Sequence, residues 1–300
     1  MYVVTGSTGN SGSVVADHLL LAGKKVRGIG RSAERMQWLA RMGGEPYVAN
    51  LKDTEALAKA FAGAEGVYVM IPPEPTAADF SAHQNAVTTS IATALESSKV
   101  KHAVTLSSFG ADKQDKTGPV LGLHLLEQRL NRIPSLNVLH LRAGYFMPNT
   151  LAQVSIIRKI GMAVGPLRAD LKIPMIATRD IGAAAADALI KLDFTAQHSR
   201  ELLGQRDITM TEAAAILGAA IGKPNLTYQQ APDEQVRSAM MQLGMSADLV
   251  RLMLEMSAAM NSGHMKAMEA RSPSNTTPTS FETFVQEEFL PIYQQTETAA

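Results

Sequence analysis

The chain has no cysteine, which excludes disulfides, thiolate metal sites and a cysteine nucleophile. It has no net charge, with 28 basic against 28 acidic side chains. Direct nucleic-acid binding, which relies on clustered Lys and Arg, is therefore not expected. No apolar run reaches the roughly 18–20 residues that span a bilayer, and the first residues read as a strand rather than as a signal peptide. The seven histidines are scattered without metal-ligand spacing, so no metal is expected. Ser107-Ser108 has no acylation motif around it, which argues against a serine hydrolase. With 46% hydrophobic and 19% charged residues over 300 positions, the expectation is a globular, cytoplasmic protein of one large or two modest domains.

What is present is organised around the stretch Tyr2 to Gly12. Tyr2-Val3-Val4 reads as a buried strand. Gly6, Gly9 and Gly12 then recur at every third position, and a helix carrying Val14, Val15, His18, Leu19 and Leu21 follows to Gly23. Three glycines suit a turn that an anion must approach: one for a tight bend, one for close contact with a pyrophosphate, one for helix–strand packing. The helix N-terminus adds unpaired N–H donors. Thr5, Ser7, Thr8, Asn10 and Ser11 add short side chains that could bond phosphate or cap the turn. The alternative is a tight strand-to-helix turn without a ligand.

Strand and helix patterns alternate through the first half, which predicts a doubly wound α/β parallel sheet covered by helices on both faces. Strands are expected at Lys25–Gly30, Pro46–Ala49, Val67–Ile71, Ala103–Leu106 and Asn137–Leu141. Helices are expected at Ala33–Met42, after Asp53, from about Ala78 to Ser98 and at Pro119–Asn131. Gly110 to Gly118 reads as an exposed loop. Later, Leu151–Ile160, Thr178–Leu192 and Glu212–Ile221 (capped by Thr211) read as helices, and Lys172–Ala177 and Glu201–Leu203 as strands. The expected division is 1–148 plus 172–204 as a Rossmann-like domain, 149–171 plus 205–288 as a smaller helical domain, and 289–300 as a tail. Residues 172–204 are expected to rejoin the first sheet.

Several residues gather at the carboxyl edge of that sheet, where ligands of such folds bind. The second strand ends in Arg31-Ser32 without an acid. Arg31 can pair with a ribose 2′-phosphate, with Ser32 as a second donor, which favours NADP(H) over NAD(H); the alternative is a solvated strand-end charge. Asn50-Leu51 falls where an adenine would lie, and Asn50 reads equally as a turn residue. Met70-Ile71-Pro72, Ser107, and Tyr145-Phe146 close the next three strands. Half of the 16 methionines fall between Met240 and Met268. Leu249, Leu252, Met253, Met256 and Met260 form a helical stripe that is either packing, a deformable wall for a flat apolar substrate, or a partner groove.

Together, Thr5 to Gly12, Arg31, Asn50-Leu51 with Asp53, Ser107-Ser108, Leu141 to Asn149, Ile173-Pro174 with Arg179 to Gly182, and Thr279 to Val285 resemble the NmrA-like family of atypical short-chain dehydrogenases/reductases. That family includes NADPH-dependent quinone and triarylmethane-dye reductases, and also regulators that bind NADP without turnover. The resemblance implies a dinucleotide held by Thr5 to Gly12, Arg31, Asn50 and Met70 to Pro72. It implies a nicotinamide bordered by Ser107 to Gly110 and Tyr145-Phe146. The substrate pocket is expected at Phe109, Phe146, Asn149, Met253 and Met256. Asn50 stands where relatives often carry Asp.

Ordinary short-chain dehydrogenases use a Tyr-x-x-x-Lys pair. The corresponding helix, Pro119 to Glu127, has neither residue, and Lys113 and Lys116 lie in the loop before it. The expected chemistry is then hydride transfer from NADPH to a small apolar or aromatic, quinone-like acceptor, governed by proximity and orientation. His124 could donate a proton, and Tyr145 could stack on the substrate or donate one. Each has a plainer reading, a satisfied helix histidine and a core aromatic. The rival is a non-catalytic NADP(H) sensor with a protein partner. Either reading allows a monomer or homodimer.

Overall fold

The computed structural model describes residues 1–295. Its first half is the doubly wound sheet. Strands β1 (Tyr2–Thr5), β2 (Val26–Gly30), β3 (Glu45–Val48), β4 (Gly66–Val69), β5 (His102–Ser108) and β6 (Asn137–Ala143) alternate with α1 (Asn10–Leu21), α2 (Gln37–Arg41), α3 (Thr54–Phe61), α4 (Phe80–Ser97) and α5 (Val120–Leu130). The expected helix from Ala33 is a short 3-10 turn, Glu34–Met36, leading into α2. The order across the sheet is β3-β2-β1-β4-β5-β6, with Gln197–Leu202 added beyond β6, and all strands run parallel. Strand order reverses between β1 and β4, which opens a crevice at the carboxyl edge.

Both faces of the sheet's centre are buried, so β1 and β4 are apolar but for the terminal Thr5, while β5 and β6 carry a few buried polar residues among apolar ones. Leu57, Phe61, Ile91, Leu95, Leu126 and Leu130 cover one face from α3, α4 and α5. Val15, Leu19, Leu39, Ile181 and Leu189 cover the other from α1, α2 and a later helix, Thr178–Lys191.

The second half departs from the simple pattern. After β6 come β7 (Tyr145–Phe146), α6 (Gln153–Ile160), β8 (Ala163–Gly165), β9 (Ile173–Ile176), α7 (Thr178–Lys191), β10 (Gln197–Leu202), β11 (Asp207–Ile208), α8 (Met210–Ala220), β12 (Tyr228–Gln230), α9 (Asp233–Gln242) and α10 (Ala247–Ser262). As expected, β10 joins the large sheet beside β6. The strand Ile173–Ile176 does not; it lies between β7 and β11 in a small sheet of its own. Two-residue partners such as these carry no pattern a sequence reading can detect. The cap of α8 is Thr209 and not Thr211: Thr209 Oγ1 accepts the Glu212 N–H at 3.1 Å, and the Glu212 carboxylate accepts the Thr209 N–H at 2.8 Å. That reciprocal box starts the helix two residues earlier.

The segment 272–280 is a loop, as its composition suggests, yet Asn275, Thr277 and Thr279 are buried. Asp180, at the start of α7, accepts the Thr279 N–H at 3.0 Å and its hydroxyl at 2.7 Å. This contact fixes the chain before its last helical run, where Phe281, Phe284 and Phe289 are fully enclosed. The tail expected at 289–300 is helical to Gln295 with Phe289 and Tyr293 in the core; residues 296–300 lie outside the described residues. Among the described residues no helix is long and apolar enough to cross a membrane.

Candidate dinucleotide site

The glycine turn has distinct work for its glycines. Gly6 has a φ of +64°, in the left-handed region, and a Cβ there would meet Met70 Sδ at 2.6 Å. A Cβ on Gly12 would lie 2.3 Å from the Gly6 carbonyl oxygen, so α1 can start this close to the turn only without a side chain there. Gly9 is the N-cap of α1, and no side chain caps that end. The first backbone N–H groups of the helix therefore face the crevice as a cradle that an anion can enter.

The hydroxyls of the turn mostly face inward. Thr5 Oγ1 donates to the Tyr68 carbonyl at 3.0 Å and accepts the Met70 N–H at 3.0 Å. Ser7 Oγ donates to the Ile29 carbonyl at 3.3 Å, and Ser11 Oγ accepts the Tyr68 hydroxyl at 3.0 Å. These bonds stitch β1 to β2 and β4 and leave half-buried Thr8 and exposed Asn10 on the open side. Asn50 Oδ1 accepts the Lys52 N–H at 3.0 Å, a local turn that leaves its amide nitrogen outside that bond. Leu51 beside it is buried.

The far end of the crevice is more cationic than the sequence suggested. Arg31, exposed at the end of β2, reaches Glu74 at 3.3 Å. Ser32 Oγ accepts the Arg35 N–H at 3.3 Å, and the Arg35 side chain donates to the Thr8 carbonyl at 3.2 Å. His83, in the first turn of α4, bonds the Pro72 carbonyl within the field of Lys52, Glu74 and Arg31. Burial holds its imidazole below the usual histidine range, and its Nε2 is buried without a partner. Arg35, Glu74 and His83 were missed from sequence. The one available signal was Arg35, one helical turn beyond Arg31.

At the other end, Ser107 is buried and its Oγ donates to Glu127 Oε1 at 2.6 Å. It is committed to the fold. Phe109 is enclosed in the second core. Tyr145 and Phe146 part company: Phe146 packs with Met70 and Leu106 on the sheet's core, and Tyr145 packs on the core of the second half. Tyr145, Asn149, Tyr228, Met210 and Leu217 line a cavity of about 50 Å³, which has room for a few waters but not for an aromatic ring. Burial pushes the Tyr145 hydroxyl up to about 12, against a smaller opposing effect of its bond to Asn149.

His124 is buried on α5 and its Nδ1 lies 2.8 Å from the Ala111 carbonyl. A carbonyl only accepts, so Nδ1 carries the hydrogen, and in the neutral ring Nε2 is an acceptor. The methionine stripe divides. Met253 packs with Phe80, Leu249 and Leu252; Met256, Met260 and Met265 join the core of the second half. Met241 and Met268 are exposed. Met253 and Met256 thus lie in different clusters and do not form one wall.

The family model for NmrA-like proteins matches residues 2–289. The chain belongs to the NmrA-like family. This NmrA-like chain is 26% identical over 271 residues, 87% of its own length and 85% of the relative's, to YesF of Bacillus subtilis, described as an uncharacterized oxidoreductase. In fold it is similar to the NADPH-dependent quinone oxidoreductase QOR2 of Escherichia coli in complex with NADPH. That match has a TM-score of 0.81 at 23% identity and covers 96% of this chain and all of the other. The triphenylmethane reductase of Citrobacter sp. in complex with NADP(H) has a TM-score of 0.78 at 20% identity, covering 95% and 99%.

Proposed function

We propose that this NmrA-like protein is an NADPH-dependent reductase of a quinone-like or aromatic acceptor. The observation that carries the cofactor reading is the pairing of the open glycine cradle with Arg31 and Arg35 at the end of β2. The cradle suits a pyrophosphate, and the two guanidinium groups suit a 2′-phosphate. When bound, the dinucleotide supplies the hydride. The chain's own part is to hold and orient: Phe146 of β7, Met70 just after β4 and Leu106 near the end of β5 offer an apolar margin, against which a flat acceptor can lie. Such positioning lowers a barrier by several kcal/mol without a dedicated acid. The solved structures of similar fold that carry quinone and dye reductase activities in their names support the same acceptor class.

The lack of a Tyr-x-x-x-Lys pair on the helix Pro119 to Glu127 argues against the usual alcohol chemistry of short-chain dehydrogenases. It also supports the rival reading, an NADP(H)-binding sensor without turnover. One paired experiment separates them. Cofactor fluorescence is titrated with NADPH and with NADH, for the wild type and Arg31→Ala, and menadione is then added at saturation. The reductase reading expects NADPH to bind more tightly, Arg31→Ala to lose about tenfold or more, and menadione to be reduced. Tight binding without oxidation would shift the assignment to the sensor, and no binding of either cofactor would remove both.

Tyr145 is not the proton donor in this reading. A phenol whose pKa sits near 12 is a weak general acid at neutral pH. Tyr145→Phe should therefore keep kcat within about threefold of the wild type. A loss of a hundredfold or more, the usual size for a true general acid, would make Tyr145 the proton donor instead.

A further inference from the structure

We propose that Glu74 limits the preference of the dinucleotide site for a 2′-phosphate by competing with it for Arg31. This rests on the cofactor reading above and goes on to say which residue tunes it. Arg31 follows β2, and Glu74 lies in the loop after β4. In the sheet, β1 stands between these two strands, so the Arg31–Glu74 contact joins the strand ends on either side of the strand that feeds the glycine turn. Arg31 is the cation placed for the 2′-phosphate, and Glu74 is the carboxylate already on it.

Glu74 is held there. Its Oε1 accepts the Thr76 hydroxyl at 3.1 Å while Oε2 faces Arg31, and its carbonyl accepts the Ala77 N–H at 3.0 Å. The same loop is fastened to α10: the Ser246 N–H donates to the Pro75 carbonyl at 2.8 Å, and the Phe80 N–H to Asp248 at 2.9 Å. The ion pair itself is a single long contact with Arg31 72% and Glu74 35% exposed. It contributes little to folding, and a phosphate that engages the guanidinium fork through two oxygens can displace it.

The selectivity follows from charge. A 2′-phosphate brings nearly two negative charges beside the Glu74 carboxylate, and the repulsion subtracts from what Arg31 and Arg35 contribute. A 2′-hydroxyl brings none and can donate to that carboxylate, as an acidic residue at a ribose does in NAD-binding folds. Glu74 therefore narrows the gap between NADPH and NADH.

The test is affinity, read by calorimetry at low and high salt, for NADPH, NADH and 2′-AMP. Glu74→Gln should bind NADPH and 2′-AMP about tenfold more tightly, with NADH unchanged or up to threefold weaker. The gain should shrink at high salt and fall below twofold in an Arg31→Ala background. Glu74→Asp, which keeps the charge, should stay within threefold of the wild type, and all variants should melt as the wild type does. Unchanged NADPH affinity in Glu74→Gln, an equal gain for NADH, or a gain that survives Arg31→Ala would overturn the proposal while leaving the cofactor reading standing. A wild type that binds neither nucleotide would overturn both.

Discussion

Replacing Glu127 by alanine is expected to lower the unfolding free energy by about 3 kcal/mol, close to the low end of the range for breaking a buried ion pair. Glu127 is 3% exposed on α5 and faces β5 and β6. Its carboxylate accepts Arg142 Nε at 3.0 Å and Nη2 at 2.5 Å, and the Ser107 hydroxyl at 2.6 Å. Ser107, Arg142 and Glu201 stand side by side in register on β5, β6 and β10. The Glu127 hydrogen bonds hold the Arg142 guanidinium above its ordinary value, with Asp112 and Glu201 adding smaller attractions. Those two carboxylates are why the loss belongs at the low end. Removing Glu127 leaves a mostly buried cation and a serine hydroxyl without their acceptor, and the cost is that of the orphaned groups.

Removing both charges removes that penalty, so Glu127→Ala with Arg142→Met should recover much of the loss. Urea unfolding of the two single variants and the double variant measures this directly. Additive losses in the double, or a loss below about 1 kcal/mol in Glu127→Ala, would mean that the pair is not a coupled unit. The pair also bears on the site. It holds Ser107, near the end of β5 and the first residue of the segment that borders the nicotinamide in the proposed layout. Under the proposed reductase reading, the milder Glu127→Gln variant should therefore lower NADPH turnover before it unfolds the chain.

The parts of this fold that the sequence makes legible are those with long-range repetition. Buried parallel strands read as apolar runs, and Gly6, Gly9 and Gly12 stand out because a close approach to the Gly6 carbonyl leaves no room for another residue at Gly12. The parts that stay hidden are set by contacts between distant segments. Tyr145–Phe146 and Asp207–Ile208 become strands only because Ile173–Ile176 lies between them. Thr5, Ser7 and Ser11 look alike in a glycine-rich turn, yet partners on β2 and β4 draw all three inward. Arg35, Glu74 and His83 come from a 3-10 turn, a loop and a helix start, where no periodicity marks a side chain as facing a crevice. The last helical run reads as peripheral until the burial of Phe289 and Tyr293 places it in the core.

The buried histidine of β6 gives the second large effect, a loss of stability on mild acidification. His140 is 2% exposed. Its Nε2 lies 2.9 Å from Asn131 Oδ1 and its Nδ1 lies 2.8 Å from the Thr105 hydroxyl. The amide oxygen only accepts, so Nε2 carries the hydrogen and Nδ1 accepts from Thr105. The neutral ring is thereby satisfied on both sides. Protonation would require the Thr105 hydroxyl to turn round and would place a charge in the core. Burial lowers the His140 pKa from 6.5 to about 4, outweighing the attraction of Glu127, while Arg142 lowers it further. Below pH 6.5 the unfolded chain takes up a proton that the folded chain refuses until about pH 4. Stability therefore falls as pH drops through that window, by up to about 3 kcal/mol at 1.36 kcal/mol per unit. His83 and His102, also pushed down by burial, act in the same direction. Glu201, pushed up by burial, acts in the opposite one. The His140 share is isolated by comparing urea unfolding of the wild type and His140→Gln at steps from pH 7.5 to 4.5. The variant should start less stable but lose less on acidification. Parallel curves would mean that His140 accepts its proton in the fold as readily as in the unfolded chain.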